Sequence, residues 1–422
     1  MKITGSQSLR GTVTASGSKA YTHRALLASL LSPEETIIRG ALDCDDTNRT
    51  LEGIRSLGAK VQVERGQLVS CGAGKLASSR NPIDCGESGA TLRFLAAIAG
   101  TSPEPTTLRA SGRLAERPLD PLLKAMEMLG ALTKVSENNE GSEVRIQGPL
   151  KGGETWIEGD ISSQFISGLL FAAPLATTDV TVHVKGLLES RPYVEMSIDV
   201  LKKHGITIDE YDNAFHIPAP QNYNGALHDV PGDFSSAAFL IAGVGIAGEE
   251  ITVSGLNPVS PEPDSIFLKV IDQIGLEVRN AGQNLEVRGS KLEPFEFDAV
   301  NNPDLVPPLE VLGCFAKGVS EIRGVRRLRY KETNRLETIP AELGKMGAKI
   351  KVNGDNIRIQ GGTGLVGCEL DSKHDHRVAM PCAIASIGAS GDSSIHNAEA
   401  VSKSYPEFFH DLTRLGVKLH VE

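Results

Sequence analysis

Between Arg323 and Arg335 six basic side chains, Arg323, Arg326, Arg327, Arg329, Lys331 and Arg335, stand against a single acid, Glu332. Guanidinium groups grip carboxylate and phosphate oxygens two at a time, and a desolvated lysine can also carry protons. The run therefore suits a small polyanion; Tyr330 is its one aromatic, too little stacking surface for RNA. Elsewhere, small polar clusters stand directly before apolar stretches. They are Ser16-Gly17-Ser18-Lys19, Cys85-Gly86-Glu87-Ser88-Gly89, Ser162-Ser163-Gln164, Asp233-Phe234-Ser235-Ser236, Asp375-His376-Arg377, and Ser404 with Pro406. Cap residues and early prolines mark these as helix starts. A helix start offers unpaired N–H groups and partial positive charge. Lys19, Arg24, Arg93, Arg117, Arg377 and Lys403 beside the caps direct them toward phosphate or carboxylate ligands.

These residues must be held by elements that repeat. An amphipathic helix ending in an apolar residue plus Gly, then an alternating strand, occurs at Gly58, Gly130, Gly205, Gly275, Gly347 and Gly416, spaced 69 to 75 residues apart. Each Gly fits a helix C-terminus that needs positive φ, and each following segment reads as a half-buried strand. Six α/β units fill the chain, and the turn-rich stretch from Ile217-Pro218-Ala219-Pro220 to Pro231-Gly232 divides them into three and three.

The 422 residues exceed what one core supports, so two similar domains are expected. Hydrophobic residues at 40% and charged residues at 23% describe an ordinary globular chain. The net charge of −10 argues against nucleic-acid and membrane partners. Six scattered cysteines without a Cys-x-x-Cys pair fit reduced thiols in the cytoplasm, and neither a leader nor an apolar run of about 18 residues is read. Three familiar patterns fail on context. Gly243 to Gly248 spells a dinucleotide fingerprint but follows a helix. Ser16-Gly17-Ser18-Lys19 lacks the companion motifs of penicillin-recognising enzymes. His374-Asp375-His376 has no third ligand and adjoins Arg377, so no metal is expected.

With Glu116-Arg117-Pro118, Ser190-Arg191-Pro192-Tyr193, Asp304 and Lys331-Glu332-Thr333-Asn334-Arg335 in this order, the chain resembles the 5-enolpyruvylshikimate-3-phosphate synthase family over nearly its whole length. The resemblance implies an α/β fold of two domains, each of three βαβαββ-type repeats around a pseudo-threefold axis, an inside-out α/β barrel. It implies one domain over 14–228 and a second over 1–13 plus 229–422, crossed between twice, with the active site in a cleft that closes over substrate. The implied reaction moves the enolpyruvyl group of phosphoenolpyruvate to the 5-hydroxyl of shikimate 3-phosphate and needs no cofactor.

By family position Lys19, Asp304 and Glu332 are catalytic, with Asp304 the base toward the hydroxyl, Glu332 serving the methylene carbon, and Lys19 an acid/base and charge stabiliser. Shikimate 3-phosphate falls to Lys19, Arg24, Ser162, Ser163, Gln164, Ser190, Tyr193, Asp304 and Lys331. Phosphoenolpyruvate falls to Lys19, Gly89, Arg117, Gln164, Arg335, His376, Arg377 and Lys403. Three positions depart from the family pattern: Ala20 replaces a phosphate-binding hydroxyl, Glu87 puts an acid where an anion approaches, and Arg327 stands where a substrate-contacting Asn is common. The nearest rival, UDP-N-acetylglucosamine enolpyruvyl transferase, carries a reactive Cys in a long loop; here Leu108 to Arg117 is short and has none. RNA 3′-terminal phosphate cyclases share related repeats with a different motif set. A noncatalytic anion-binding relative would not need Lys19, Asp304 and Glu332 together. A monomer in the cytoplasm is expected.

Overall fold

All six repeat glycines adopt positive φ, from +79° at Gly205 to +103° at Gly58, a conformation in which a Cβ is penalised and glycine is not. The helices they follow are six of the twelve α-helices among the described residues. In chain order these are α1 Lys19–Leu31, α2 Asp45–Ser56, α3 Gly89–Ala99, α4 Asp120–Met128, α5 Ser163–Ala172, α6 Arg191–Lys203, α7 Phe234–Ala247, α8 Phe267–Ile274, α9 Val306–Phe315, α10 Arg335–Lys345, α11 His376–Gly388 and α12 Phe408–Arg414. The computed structural model describes residues 1–79, 81–138, 141–258, 260, 262–282 and 284–420.

The chain divides into two compact units, Ser18–Val230 and Met1–Gly17 with Pro231–Glu422. The division falls four and two residues later than the expected 13/14 and 228/229. Hydrogen bonding explains the difference: the Ala15 amide donates to the Ser254 carbonyl and Gly17 bridges to Gly232, while the Val230 amide still donates to Arg39.

Each unit holds three four-stranded sheets of one design, a parallel pair continued by two antiparallel neighbours. In Ser18–Val230 two sheets are each built from one contiguous stretch, ordered Ile83–Asp84, Thr106–Ala110, Gly141–Gln147, Leu132–Asn138 and Gly153–Glu158, Val180–Lys185, Ala214–Ile217, Asp209–Tyr211. The third sheet takes its leading strand from the far end of the unit, Leu227–Asp229 beside Thr36–Arg39. In the other unit the N-terminal residues supply two strands. Gly11–Thr14 pairs parallel with Glu250–Ser254, and Lys2–Ile3 lies between Ser393–His396 and Leu419–His420.

Odd- and even-numbered helices differ in kind. α1, α3, α5, α7, α9 and α11 are buried nearly all round and pack on one another within their own unit. α2, α4, α6, α8, α10 and α12 keep one wet face. Glu310 on α9 is an exception inside the core: it is 1% exposed, neither carboxylate oxygen has a hydrogen-bond partner, and burial pushes its pKa well up. Among the described residues no helix is long and apolar enough to cross a membrane.

Five of the six expected caps stand at helix starts, with Ser18, Ser88, Ser162, Asp233 and Asp375 accepting from amides two or three residues on. Ser404 does not. A short 3-10 segment, Ala398–Lys403, ends there, and α12 begins only at Phe408.

Candidate active site

The buried helices bring their capped N-termini, and the basic residues beside them, into two groups, one per unit. In Ser18–Val230, Lys19 opens α1 directly after its Ser18 cap and pairs with Asp46 of α2 at 2.9 Å. One turn on, Arg24 is built into the scaffold: Nε donates to Ser197 Oγ at 2.7 Å, Nη1 to the Ala20 carbonyl at 2.8 Å, and Nη2 to the Tyr193 carbonyl at 2.9 Å. Its guanidinium lies over the Phe94 ring at 5.3 Å. Ser197 donates onward to Ser167 Oγ, joining α1, α5 and α6 through one buried polar chain. Arg24 thereby fixes the segment carrying Ser190 and Tyr193. Ser190 itself takes a left-handed conformation, φ 55°, immediately before α6.

Ser162 caps α5 and accepts from the Gln164 amide, so Ser163, itself buried, and the half-buried Gln164 occupy its first turn. The Gln164 side-chain oxygen accepts from Arg93 Nη1 at 2.7 Å, and Arg93 lies over Phe165. At α3 the absence of a side chain on Gly89 is used: a Cβ there would stand 3.0 Å from Arg117 Nη1. The guanidinium of Arg117 thus rests against the helix start. Glu87, the acid at an anion's expected approach, turns aside; its Oε1 accepts from the Arg113 amide at 3.4 Å.

The second group is denser. Asp304, reached through the Asn302-Pro303 turn before α9, faces three cations: Lys331 Nζ at 3.4 Å, Arg335 Nη1 at 3.5 Å and Arg377 Nε at 3.6 Å. Arg335 is 1% exposed and is held by Asp375 through both Nε and Nη2, each at 2.9 Å, while the same Nη2 meets Glu332 at 2.6 Å. Asp375 also caps α11 through the Arg377 amide and accepts from Thr333 Oγ1. One carboxylate therefore positions two arginines. Arg377 is completed by the Asp304 carbonyl and by Ser235 Oγ on α7.

Charge and burial oppose each other here. Burial disfavours the charge on Arg335, but Asp375, Glu332 and Asp304 outweigh it and hold its pKa above the ordinary value. At Lys331 burial prevails, with Arg335 and Arg327 adding to it, and the pKa falls to about 8 against the opposing pull of Asp304 and Glu332. Arg327, in the position of a substrate-contacting Asn, donates to the Val300 carbonyl at 2.7 Å. His376 is buried with Nδ1 3.8 Å from Asp375, and Lys403 donates to the His374 carbonyl, at the outer end of the same helix start.

Each sequence-identified residue thus lies in one group or the other: Lys19, Arg24, Gly89, Arg117, Ser162, Ser163, Gln164, Ser190 and Tyr193 in one, and Asp304, Lys331, Glu332, Arg335, His376, Arg377 and Lys403 in the other. Their positioning partners were harder to read. Asp46 lies 27 residues from Lys19 and carries no motif. Asp375 reads as a cap, and its grip on Arg335 has no separate signal. Ser235 stood within a polar cluster, and Arg93 beside a cap, without a stated partner. Chemically, each group presents cations and N–H donors for an anion, and the second adds Asp304 and Glu332, which with Asp375 make three carboxylates at the same arginine.

The family model of EPSP synthase (3-phosphoshikimate 1-carboxyvinyltransferase) matches residues 3–412. The 3-phosphoshikimate 1-carboxyvinyltransferase of Methanosarcina mazei is 41% identical over 420 residues, covering 98% of this chain and 97% of the relative. The same enzyme of Halobacterium salinarum is 34% identical over 417 residues, covering 97% of each. Among solved structures, EPSP synthase from Acinetobacter baumannii superposes with a TM-score of 0.83 over 100% of this chain and 99% of that one, at 24% identity, a likeness of fold.

Proposed function

Since the chain belongs to the EPSP synthase family, we propose that it transfers the enolpyruvyl group of phosphoenolpyruvate to the 5-hydroxyl of shikimate 3-phosphate, with release of phosphate. The observation that carries this reading is the pairing of Asp304 and Glu332 around Arg335: two carboxylates are placed among cations that suit a doubly charged ligand.

The chemistry needs a base at one oxygen and a proton carrier at one carbon. The hydroxyl oxygen adds to C2 of phosphoenolpyruvate as C3 takes a proton, giving a tetrahedral intermediate that holds both halves. Loss of a C3 proton then expels phosphate and restores the carbon–carbon double bond. In this reading Asp304 takes the hydroxyl proton. Glu332 gives and then recovers the proton at C3. Lys19 shares the acid/base work and faces the charge that develops on the leaving phosphate.

Arg335 and Arg377, preset by Asp375, grip phosphoenolpyruvate together with Arg117, Gln164, His376, Lys403 and the amide side of Gly89. Arg24, Ser162, Ser163, Ser190, Tyr193 and Lys331 hold shikimate 3-phosphate, with Gln164 reaching both ligands. The protein works as a cytoplasmic monomer in this reading.

The test is phosphate release from phosphoenolpyruvate by the purified protein, with either shikimate 3-phosphate or UDP-N-acetylglucosamine as acceptor. Release with shikimate 3-phosphate alone is expected. Release with the nucleotide sugar alone would replace the acceptor, and saturable binding of shikimate 3-phosphate without turnover would reduce the protein to an anion-binding relative.

A further inference from the structure

The one tryptophan of the chain is not in the core. Trp156 lies on the edge strand Gly153–Glu158 and is 40% exposed, its ring stacked on His183 of the neighbouring strand with centroids 4.9 Å apart and planes 15° from parallel. It lines a groove of about 520 Å³ between this strand and α4, whose far wall carries Asp120, Lys124 and Met128 at successive turns. Met128 is 50% exposed in the same groove. A large aromatic and a thioether left wet on facing walls, inside a concavity of ligand size, is the composition of a small-molecule site rather than of ordinary surface.

The charges narrow the ligand. Lys185 and Glu158, at one side of the groove, pair with each other at 3.5 Å. Asp120 and Lys124 do not pair. An acid four residues before a lysine is the favoured orientation for a helical ion pair, yet among the described residues neither side chain has a salt bridge. The lining is therefore balanced, with one anion and one cation uncommitted and a helical turn apart. A cation or an anion alone would satisfy one of them and face repulsion from the other. A ligand that carries both signs on neighbouring groups satisfies both.

We propose that this groove binds a flat aromatic zwitterion, an aromatic amino acid. Its ammonium meets Asp120, its carboxylate meets Lys124, and its ring lies between Trp156 and Met128. The α4 rail from Asp120 to Met128 is about 12 Å long at the helical rise per residue, enough for a head group at one end and a ring at the other. The site lies wholly within Ser18–Val230 and is independent of the catalytic reading.

Trp156, as the sole tryptophan, reports on its own site, so the full-length protein can be titrated with L-phenylalanine under tryptophan-selective excitation, with calorimetry in parallel. A saturable change in emission is expected. Asp120→Asn and Lys124→Gln, both at exposed positions, should each weaken binding by roughly three- to fivefold, the range of a partly screened charge contact. Phenethylamine, which lacks the carboxylate, should be indifferent to Lys124→Gln, and 3-phenylpropanoate, which lacks the ammonium, indifferent to Asp120→Asn. No saturable binding of L-phenylalanine, or binding that neither variant weakens, would overturn the proposal. So would equal affinity for cyclohexylalanine, since a saturated ring cannot stack on the indole.

Discussion

Glu332 and Asp304 both touch Arg335, and their division of labour can be separated by isosteric change. Asp304→Asn and Glu332→Gln keep shape and remove proton transfer. Each should lower turnover by about 10² to 10⁴, the span of general acid–base catalysis, while equilibrium binding of shikimate 3-phosphate changes far less. Turnover within about tenfold of wild type in either variant would remove that residue from proton transfer.

Lys331 offers a pH signature. With its pKa lowered to about 8, it is protonated and able to hold an anionic substrate at neutral pH, and loses that charge as pH rises through 8. The profile of kcat/KM should therefore carry a descending alkaline limb near that value, and Lys331→Arg, which stays charged, should displace the limb upward. An unmoved limb would assign it to another group. The residues that touch ligand in this scheme come from family position; residue chemistry alone pointed to the basic run Arg323–Arg335 and to the Lys and Arg side chains beside the caps. The orienting roles of Asp375 and Asp46 were not legible, because a carboxylate that orients a cation looks like any cap or surface acid until the two are seen together.

At the scale of elements, six glycines disclosed six helix ends because a left-handed residue after a helix is a backbone demand with one inexpensive answer. The strand exchange was out of reach of local pattern. Nothing in Leu227–Asp229 marks it as the partner of Thr36–Arg39, some 190 residues earlier, since an edge strand of three residues carries no register signal of its own.

The same strand takes part in a buried polar chain. Lys203 at the end of α6 donates to Tyr21 Oη at 2.8 Å, Tyr21 Oη lies 3.1 Å from His228 Nδ1, His228 Nε2 is 2.9 Å from His204 Nε2, and His204 Nδ1 is 2.7 Å from the Asn224 carbonyl. The ends fix its polarity. The ammonium can only donate and the carbonyl can only accept, so His204 carries its proton on Nδ1, His228 on Nε2, and both rings are neutral. A proton added to His204 sets two N–H groups face to face, and one added to His228 sets an N–H against the hydroxyl hydrogen of Tyr21. Burial is the main cause lowering both pKa values; His204 and Lys203 add to it at His228, which reaches about 3. The unfolded histidines titrate near 6.5, so below that pH the unfolded chain binds the extra protons. Stability is complete above about pH 6.5 and is lost as pH falls toward 3, by about 1.4 kcal/mol per pH unit for each histidine affected. Denaturant midpoints should follow that slope, and His228→Gln should flatten it. An equal acid slope in the variant would place the loss elsewhere.

For the molecule as a whole, the two units are unequal in continuity. Ser18–Val230 is one uninterrupted stretch, whereas the other unit is made from both sides of it. Ile3 is fully buried and its strand is hydrogen-bonded on both edges, to Ser393–His396 and to Leu419–His420. Ile3→Asp should therefore unfold the discontinuous unit, since burying an unpaired carboxylate costs several kcal/mol, and leave the inserted one compact. Limited proteolysis should then yield a resistant fragment close to 18–230; digestion of both units at equal rates would show that they stand or fall together.

That arrangement has a consequence for the order in which the protein is made. On the ribosome Lys2–Ile3 and Gly11–Thr14 emerge before anything they pair with: the second waits for residues near 251, the first for residues near 393 and 419. All of Ser18–Val230 is synthesised in the interval, and domains fold as their chain becomes available. Lys2–Ile3 and Gly11–Thr14 are thus among the last strands to find their places, and through the synthesis of Ser18–Val230 they stay unpaired, short enough to offer little template to a neighbouring nascent chain.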